Sequence, residues 1–419
     1  MGWLNNRRIW GFNTVELFLL LAVVTMPYHN NLNSYCVVAF SVVALFSNGI
    51  REKIARLKQN KLWMLPAAYF VWLALSLLWD NGPDRSMNVL EKSTSFIALP
   101  LMLGSIRPLN RLSIRRIFLF FVVAVVAAAL YCLWQAYLAY KATDYINVFF
   151  YHHLSMNLGL NAIYFSLYCV FSVWILLCFI FFGEVNIRQR AMALIVTFFL
   201  IIFTILLASK MLLAILFASL FIVTIYSFVY MKKLRGRLVF LIIFLAAIPA
   251  VLLQFPYVRA RIDETKLLEY RTAADRFNGL AVRGTLWKAS WKLIRERPII
   301  GYGHYAAQRA LEVEYQKAGL KEAVKERFNS HNQYLYTWCN YGIIGLLLVT
   351  GYLVLFLTRA VREKHMLAII FGSIFLIANL TECMLQVQKG IVFYMLFSSL
   401  FLFHIFETTN KQVVKREKI

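Results

Sequence analysis

Ala191–Met231 reads AMALIVTFFLIIFTILLASKMLLAILFASLFIVTIYSFVYM. The run is about twice the ~20 residues that carry a helix across a hydrocarbon core. It holds a single charge, Lys210. Leaving that ammonium at the middle of a bilayer would cost at least about 2.5 kcal/mol. The stretch therefore reads as two antiparallel helices with their turn at Lys210.

Working outward, apolar blocks of similar length recur at 12–28, 33–49, 62–79, 88–106, 117–140, 160–182, 238–255, 334–358, 365–382 and 390–408. With 191–209 and 211–231 they give twelve expected spans. Hydrophobic residues make up 61% of the 419, and mean hydropathy is +0.65. A soluble domain of that length needs far more polar surface. Period-two alternation, the mark of a membrane barrel, is missing. The fold class is thus all-α, a polytopic membrane bundle. Its expected organisation is spans 1–9 in 1–255, one large, mostly helical loop in 256–332, and spans 10–12 with a tail in 333–419. Arg7 and Arg8 precede the first block without a small-residue cleavage site, which reads as a retained span.

The net charge of +24 does not imply a nucleic-acid partner, because it follows the spans. One set of connections collects most of the cations, among them Arg51, Lys53, Arg56, Lys58 and Lys61, Arg107 to Arg116, Lys232 to Arg237, and Arg359 to Lys364. The short loops of the other set hold only Arg85, Lys92, Lys141, Lys210 and Lys389. By the positive-inside rule both termini are cytoplasmic, and the 256–332 loop faces away from the cytoplasm. The six cysteines show neither CxxC nor Cys/His metal spacing. Cys339 and Cys383 lie near span ends that could share a face, which leaves a disulfide open.

The long loop carries helical patterning. In 284–297, Trp287, Trp291 and Ile294 fall on one stripe, and Lys288, Lys292 and Arg295 repeat the spacing one position on. Pro298 should stop this helix, Gly301-Tyr302-Gly303 should turn the chain, and a second helix should follow over 304–318. Such a helix could lie against lipid headgroups or pack on the bundle as a solvated element.

Three features on that side could carry chemistry. Ser330-His331-Asn332-Gln333-Tyr334-Leu335 opens the tenth span and is followed by Gly342, with Ser330 available as an N-cap. A histidine at a helix start is kept neutral by the helix dipole and nearby arginines, and a neutral imidazole can accept a proton from an alcohol. Arg283 and Lys210 are cations that would suit a diphosphate if they converged on it. Glu382, in the last outer loop with Gln386, Gln388 and Lys389, could orient the histidine or an acceptor, or simply end a span in water. His304, His152, His153, Asn161 and Tyr164 have weaker claims. No DxD-like cluster marks a metal site in the loop.

The pattern His331-x3-Leu335-x6-Gly342 after a long loop resembles the signature of the O-antigen ligase superfamily. Arg283-Gly284-x2-Trp287, then Pro298 and Gly301-Tyr302-Gly303, resembles the block that precedes that histidine in family members. Ala208-Ser209-Lys210 looks like the family's Ser-Arg turn, with lysine in place of the usual arginine. The resemblance implies transfer of a glycan from an undecaprenyl diphosphate carrier to a sugar hydroxyl of lipid A-core. It further implies an inner-membrane protein acting at its periplasmic face, with inversion and with no metal or cofactor. On this expectation His331 activates the acceptor, while Arg283 and Lys210 hold the diphosphate. Asn332, Gln333, Glu382, Tyr302 and Trp287 are candidates for substrate contact. A polymerase or a protein O-oligosaccharyltransferase would use the same donor class. A transporter or lipid flippase is the non-enzyme alternative; such proteins often show related halves, and no internal repeat stands out here.

Overall fold

A computed structural model of the chain describes residues 8–9, 12–183, 185–230 and 280–407. The expected span 238–255, part of the expected loop (256–279), Arg7, the basic residues of the C-terminal tail and those of 232–237 lie outside these.

The described chain is helical apart from a small antiparallel ribbon, β1 (Arg8–Ile9) with β2 (Phe12–Asn13). The helices in order are α1 (Thr14–Val24), α2 (Asn30–Phe46), α3 (Ile50–Gln59), α4 (Met64–Ser76), α5 (Pro83–Ser93), α6 (Ser95–Ser105), α7 (Arg111–Thr143), α8 (Tyr151–Ser155), α9 (Ala162–Phe182), α10 (Ile187–Leu206) and α11 (Lys210–Tyr230). After the gap come α12 (Leu280–Glu296), α13 (His304–Lys317), α14 (Lys321–Lys325), α15 (Gln333–Arg362), α16 (Met366–Ala378) and α17 (Gln388–Leu400). The last is extended by a π turn over Phe401–Ile405.

Among the described residues, five helices are long and apolar enough to cross a membrane: Arg111–Thr143, Ala162–Phe182, Ile187–Leu206, Gln333–Arg362 and Gln388–Ile405. A sixth candidate is the pair α2–α3, bent by 107°. Helices occupy the other expected positions among the described residues, but they are shorter. The expected span 88–106 is not one helix. It breaks at Thr94, whose hydroxyl donates to the Glu91 carbonyl at 2.6 Å, and only the 95–105 half is apolar.

Asparagine starts many of these helices. Asn13, Asn110, Asn161, Asn186 and Asn332 each accept from first-turn backbone N–H groups, which lowers the cost of starting an apolar helix there. Between the helices the core is aromatic. Phe121, Phe171, Phe371, Phe393 and Phe397 meet with ring centroids about 5–6 Å apart, largely edge to face. Lipid tails are as apolar as leucine, so shape-matched packing of this kind, more than water exclusion, holds spans together.

Two hydrogen bonds fix which helix ends lie together. Tyr164 Oη donates to the Cys383 carbonyl at 3.3 Å and Tyr168 Oη to the Lys389 carbonyl at 3.1 Å. The start of α9 thus sits beside the α16–α17 connection, as does the start of α15, described below. From α9 the chain runs away and returns along α10, so its turn at 207–209 is at that same end. There α10 ends, Ala208 takes a left-handed φ of 49°, and α11 begins at Lys210, where the charge argument put the turn.

Helices α12 to α14 form a second, smaller core with Val282, Leu286, Leu293, Leu311 and Tyr315 inside. The expected helices over 284–297 and 304–318 are both present. The buried face runs through Val282, Leu286, Leu293 and Ile294. Trp291 is 43% exposed and meets Trp338 edge to face at 5.5 Å. Of the stripe read in the sequence, Ile294 is buried, Trp287 packs against this core, and Trp291 faces outward.

Gly301 and Gly342 join this unit to α15. Gly342 (φ 66°, ψ −172°) interrupts α15, and Gly301 (φ 72°) faces the break. Tyr302 N donates to Cys339 O at 3.1 Å, Gly303 N to Asn340 O at 2.8 Å, and Ile343 N to Pro298 O at 2.9 Å. Trp338 Nε1 reaches the same Pro298 carbonyl at 3.0 Å. A Cβ at Gly342 would lie 2.0 Å from Ile299 O, so only glycine allows the approach.

Candidate active site

His331 lies two residues ahead of α15 in a left-handed conformation (φ 44°) that a histidine adopts at a cost. Its backbone N–H donates to Asn329 Oδ1 at 2.7 Å, and its ring meets Phe328 edge to face at 5.5 Å. The neighbouring Ser330 carbonyl accepts from Trp287 Nε1 at 3.0 Å, which pins the turn to α12.

The N-cap of α15 is not Ser330. Ser330 Oγ donates to Asn332 O, and the cap is Asn332, whose Oδ1 accepts from Tyr334 N at 2.9 Å and Leu335 N at 3.1 Å. The reason is reach: an Asx side chain one residue before the first turn meets its amides, and a serine two residues further back cannot.

Asn332 and Gln333 then bind the α16–α17 connection. Asn332 Nδ2 donates to Leu380 O at 3.1 Å, Gln333 N to Asn379 O at 2.9 Å, and Gln333 Oε1 accepts from Leu385 N at 2.8 Å. These bonds bracket Glu382. Its Oε2 accepts from His331 Nδ1 at 3.2 Å, and its Oε1 accepts from Arg283 Nη2 at 2.8 Å. One carboxylate thereby joins residues from three distant segments: α12, the turn before α15, and the α16–α17 connection.

The chemistry of that bridge is specific. A carboxylate is an acceptor, so the proton of the neutral imidazole belongs on Nδ1 and the lone pair on Nε2. Among the described residues Nε2 makes no hydrogen bond. Glu382 is largely buried while Arg283 and His331 are about a third exposed, which leaves an accessible base beside a guanidinium with further N–H groups.

The other expected site residues fall as follows. Lys210 is exposed at the first turn of α11, at the same end of the bundle, and α11 packs on α16, which leads into the Glu382 connection. Tyr302 is turned to its own loop: its hydroxyl donates to Glu296, and Arg297 stacks on its ring at 4.7 Å. Burial, then Glu296, pushes its phenol up to about 12. Trp287 supports the His331 turn through its indole N–H. Asn161 and Tyr164 are a helix cap and a tie to Cys383. Cys339 and Cys383 are both free thiols.

A second polar cluster was not legible in the sequence. Asp80 accepts from Tyr305 N and Ala306 N, both at 3.0 Å, and so caps α13 from a remote loop. Beside it, His304 Nδ1 pairs with Tyr336 Oη at 2.9 Å. Burial holds this imidazole down at about 4, against the pull of Asp80. A lone aspartate eighty residues into the chain gives no hint that a helix start over two hundred residues later is its partner.

A comparison with curated proteins found no match. The comparison with family models matches residues 195–350 to the O-antigen ligase model, a stretch that contains Lys210, Arg283, His331 and Gly342. Over that stretch the chain is similar to the O-antigen ligase domain, which supports a membrane glycosyltransferase of the ligase and polymerase type.

Proposed function

We propose that the protein moves a glycan from undecaprenyl diphosphate to a sugar hydroxyl of lipid A-core, at the periplasmic face of a bacterial inner membrane. This reading takes twelve spans, cytoplasmic termini and a periplasmic 256–332 loop. The observation that carries it is Glu382 bridging His331 Nδ1 and Arg283 with Nε2 left open. In this scheme the acceptor hydroxyl gives its proton to His331 Nε2 as its oxygen attacks the anomeric carbon. Glu382 holds the ring in the required tautomer and offsets the charge that forms on it, the part an acid plays behind a histidine base. The bond to the carrier breaks on the opposite face, so the anomeric centre inverts, and the electron pair leaves on the diphosphate.

Arg283 is supported as the group that meets that leaving charge, since Glu382 engages one of its terminal nitrogens and fixes the plane of the fork. Lys210 would add a second cation from the facing turn. Asn332 and Gln333 are better read as positioning residues than as substrate contacts, because their amides are spent on the connection that carries Glu382. Trp287 positions His331 in the same way, and Tyr302 is more remote.

The test supplies purified, reconstituted protein with a carrier-linked glycan and either lipid A-core or a second carrier-linked glycan. Ligated core is the expected product, and it should vanish in His331→Ala with the protein still inserted. Product only with the second glycan would make the protein a polymerase. Near wild-type turnover by His331→Ala would remove the histidine from the mechanism.

A further inference from the structure

At the end of the bundle opposite His331, a cavity of about 830 Å³ opens between α15 and the 59–62 connection that leads into α4, with Glu407 beside it. The two helices run antiparallel. Trp72 Nε1 donates to Tyr341 O at 2.7 Å near one end, and Leu65 Cδ2 would lie 3.6 Å from a Cβ on Gly351 further along. Just beyond Gly351 α4 gives way to the 59–62 connection, and the cavity lies between that connection and α15.

Its lining changes character along the helix axis. The inner part is apolar, with Gly351, Val354, Leu355 and Leu62. Val354 is 52% exposed and Leu355 41%, so the walls are uncovered. The mouth carries Lys61, Arg359 and Arg362, against one carboxylate, Glu407, which is already held by Arg56 at 3.2 Å. Arg359 also pairs with Glu363 at 2.8 Å, which keeps its guanidinium at the rim.

The height of the rim follows from α15. Past the break at Gly342, Ile343–Arg362 rises about 30 Å, the thickness of a hydrocarbon core. Arg359 and Arg362 therefore sit at headgroup level, and Gly351 to Leu355 sit at acyl-chain level. An apolar slot capped by cations at that level matches the shape and charge of one molecule class.

We infer that this groove binds an anionic phospholipid of the leaflet opposite His331, with its phosphate at Lys61, Arg359 and Arg362 and an acyl chain along Val354 and Leu355. The site is separate from the glycan-transfer reading and rests only on α15 spanning the bilayer. Each cation near an anionic surface contributes about fivefold, equivalent to about 1 kcal/mol.

The full chain is reconstituted in nanodiscs of phosphatidylcholine with phosphatidylglycerol, extracted, and its retained lipid measured by native mass spectrometry. Wild type should keep phosphatidylglycerol in preference to phosphatidylcholine. Lys61→Gln, Arg359→Gln and Arg362→Gln should each reduce the preference about fivefold. Val354→Trp, which fills the slot and leaves the charges, should lower retention of both lipids. The control Arg51→Gln/Arg111→Gln/Arg188→Gln removes three cations of the same end outside the groove and should change nothing. Equal loss in that control would reduce the effect to general surface charge and overturn the site. So would an unchanged preference in the groove variants, or displacement of the lipid by millimolar inorganic phosphate.

Discussion

Replacing Gly342 by alanine tests whether the loop is seated on α15 as the structure has it. At φ 66° and ψ −172° an L-residue is strained by about 1–3 kcal/mol. The new methyl would also lie 2.0 Å from Ile299 O and 2.3 Å from its carbon, so the 298–303 segment must retreat by an ångström or more. Retreat breaks Tyr302 N to Cys339 O, Gly303 N to Asn340 O and Ile343 N to Pro298 O, each a net contribution of about 1 kcal/mol. Whether the strain is kept or relieved, the cost is on the order of 3 kcal/mol, more than a hundredfold in the seated population. The spans need not unfold, because these bonds join the loop to α15 and not helix to helix. Hydrogen exchange at residues 302, 303 and 343 should therefore accelerate about a hundredfold in Gly342→Ala, with insertion intact and glycan transfer reduced. Gly351→Ala is the matched control: its Cβ would meet only Leu65 at 3.6 Å, an ordinary contact. If the two variants exchange alike, the account of the Gly342 junction is wrong.

Glu382→Gln keeps the shape but removes the charge between His331 and Arg283. It should lower kcat about a hundredfold with little change in thermal stability, and kinetics on both acceptors would show otherwise if Glu382 only ends a span. Asn332→Ala removes the cap of α15 and the tie to Leu380, so the melting midpoint should drop by an amount equivalent to about 1 kcal/mol. Its kcat should fall further than its KM rises, and a pure KM effect would return Asn332 to substrate contact. For His304 the folded value, about 4, lies below the ordinary 6.5, so the unfolded chain takes up the proton first. The stability tied to this neutral imidazole is complete above pH 6.5 and is lost as pH falls toward 4. His304→Gln should flatten thermal stability across that window, and an unchanged slope would show that the group titrates freely.

Much of the bundle was readable because burial in lipid is written in long apolar runs. The lone Lys210 in 191–231 located a turn, since one ammonium cannot stay in hydrocarbon. Pro298 and the glycines at 301 and 303 located the end of α12 in the same local way. The broken helix at Thr94 was not readable, because apolar content was averaged over 88–106 and a hydroxyl's bond to a carbonyl leaves no such trace. The buried face of α12 was only partly legible, since Ile294 and Trp287 of the stripe meet the core while Trp291 does not. Tryptophan is the most conspicuous apolar residue in the stripe, yet it is large and amphipathic and serves as well at a rim as in a core.

The site divides along the same line. His331 stood out by position, at the entry to a span, but its partner lies fifty-one residues on, beyond two helices, and nothing local to Glu382 distinguishes a bridging carboxylate from one in water. Asn332 and Gln333 looked like substrate contacts because they adjoin the histidine. Their hydrogen bonds run instead to Leu380, Asn379 and Leu385, on either side of Glu382. Those bonds explain how a carboxylate on a connection can be held to one imidazole nitrogen: Cys383, Met384 and Leu385 are buried in the core, and the side chains of Asn332 and Gln333 at the start of α15 fix the register on either side of Glu382. If the register slipped by one residue, Thr381 or Cys383 would face His331, and neither could accept the Nδ1 proton as a charged group. The amides beside the histidine are thus what make the Glu382 bridge a fixed feature of the fold.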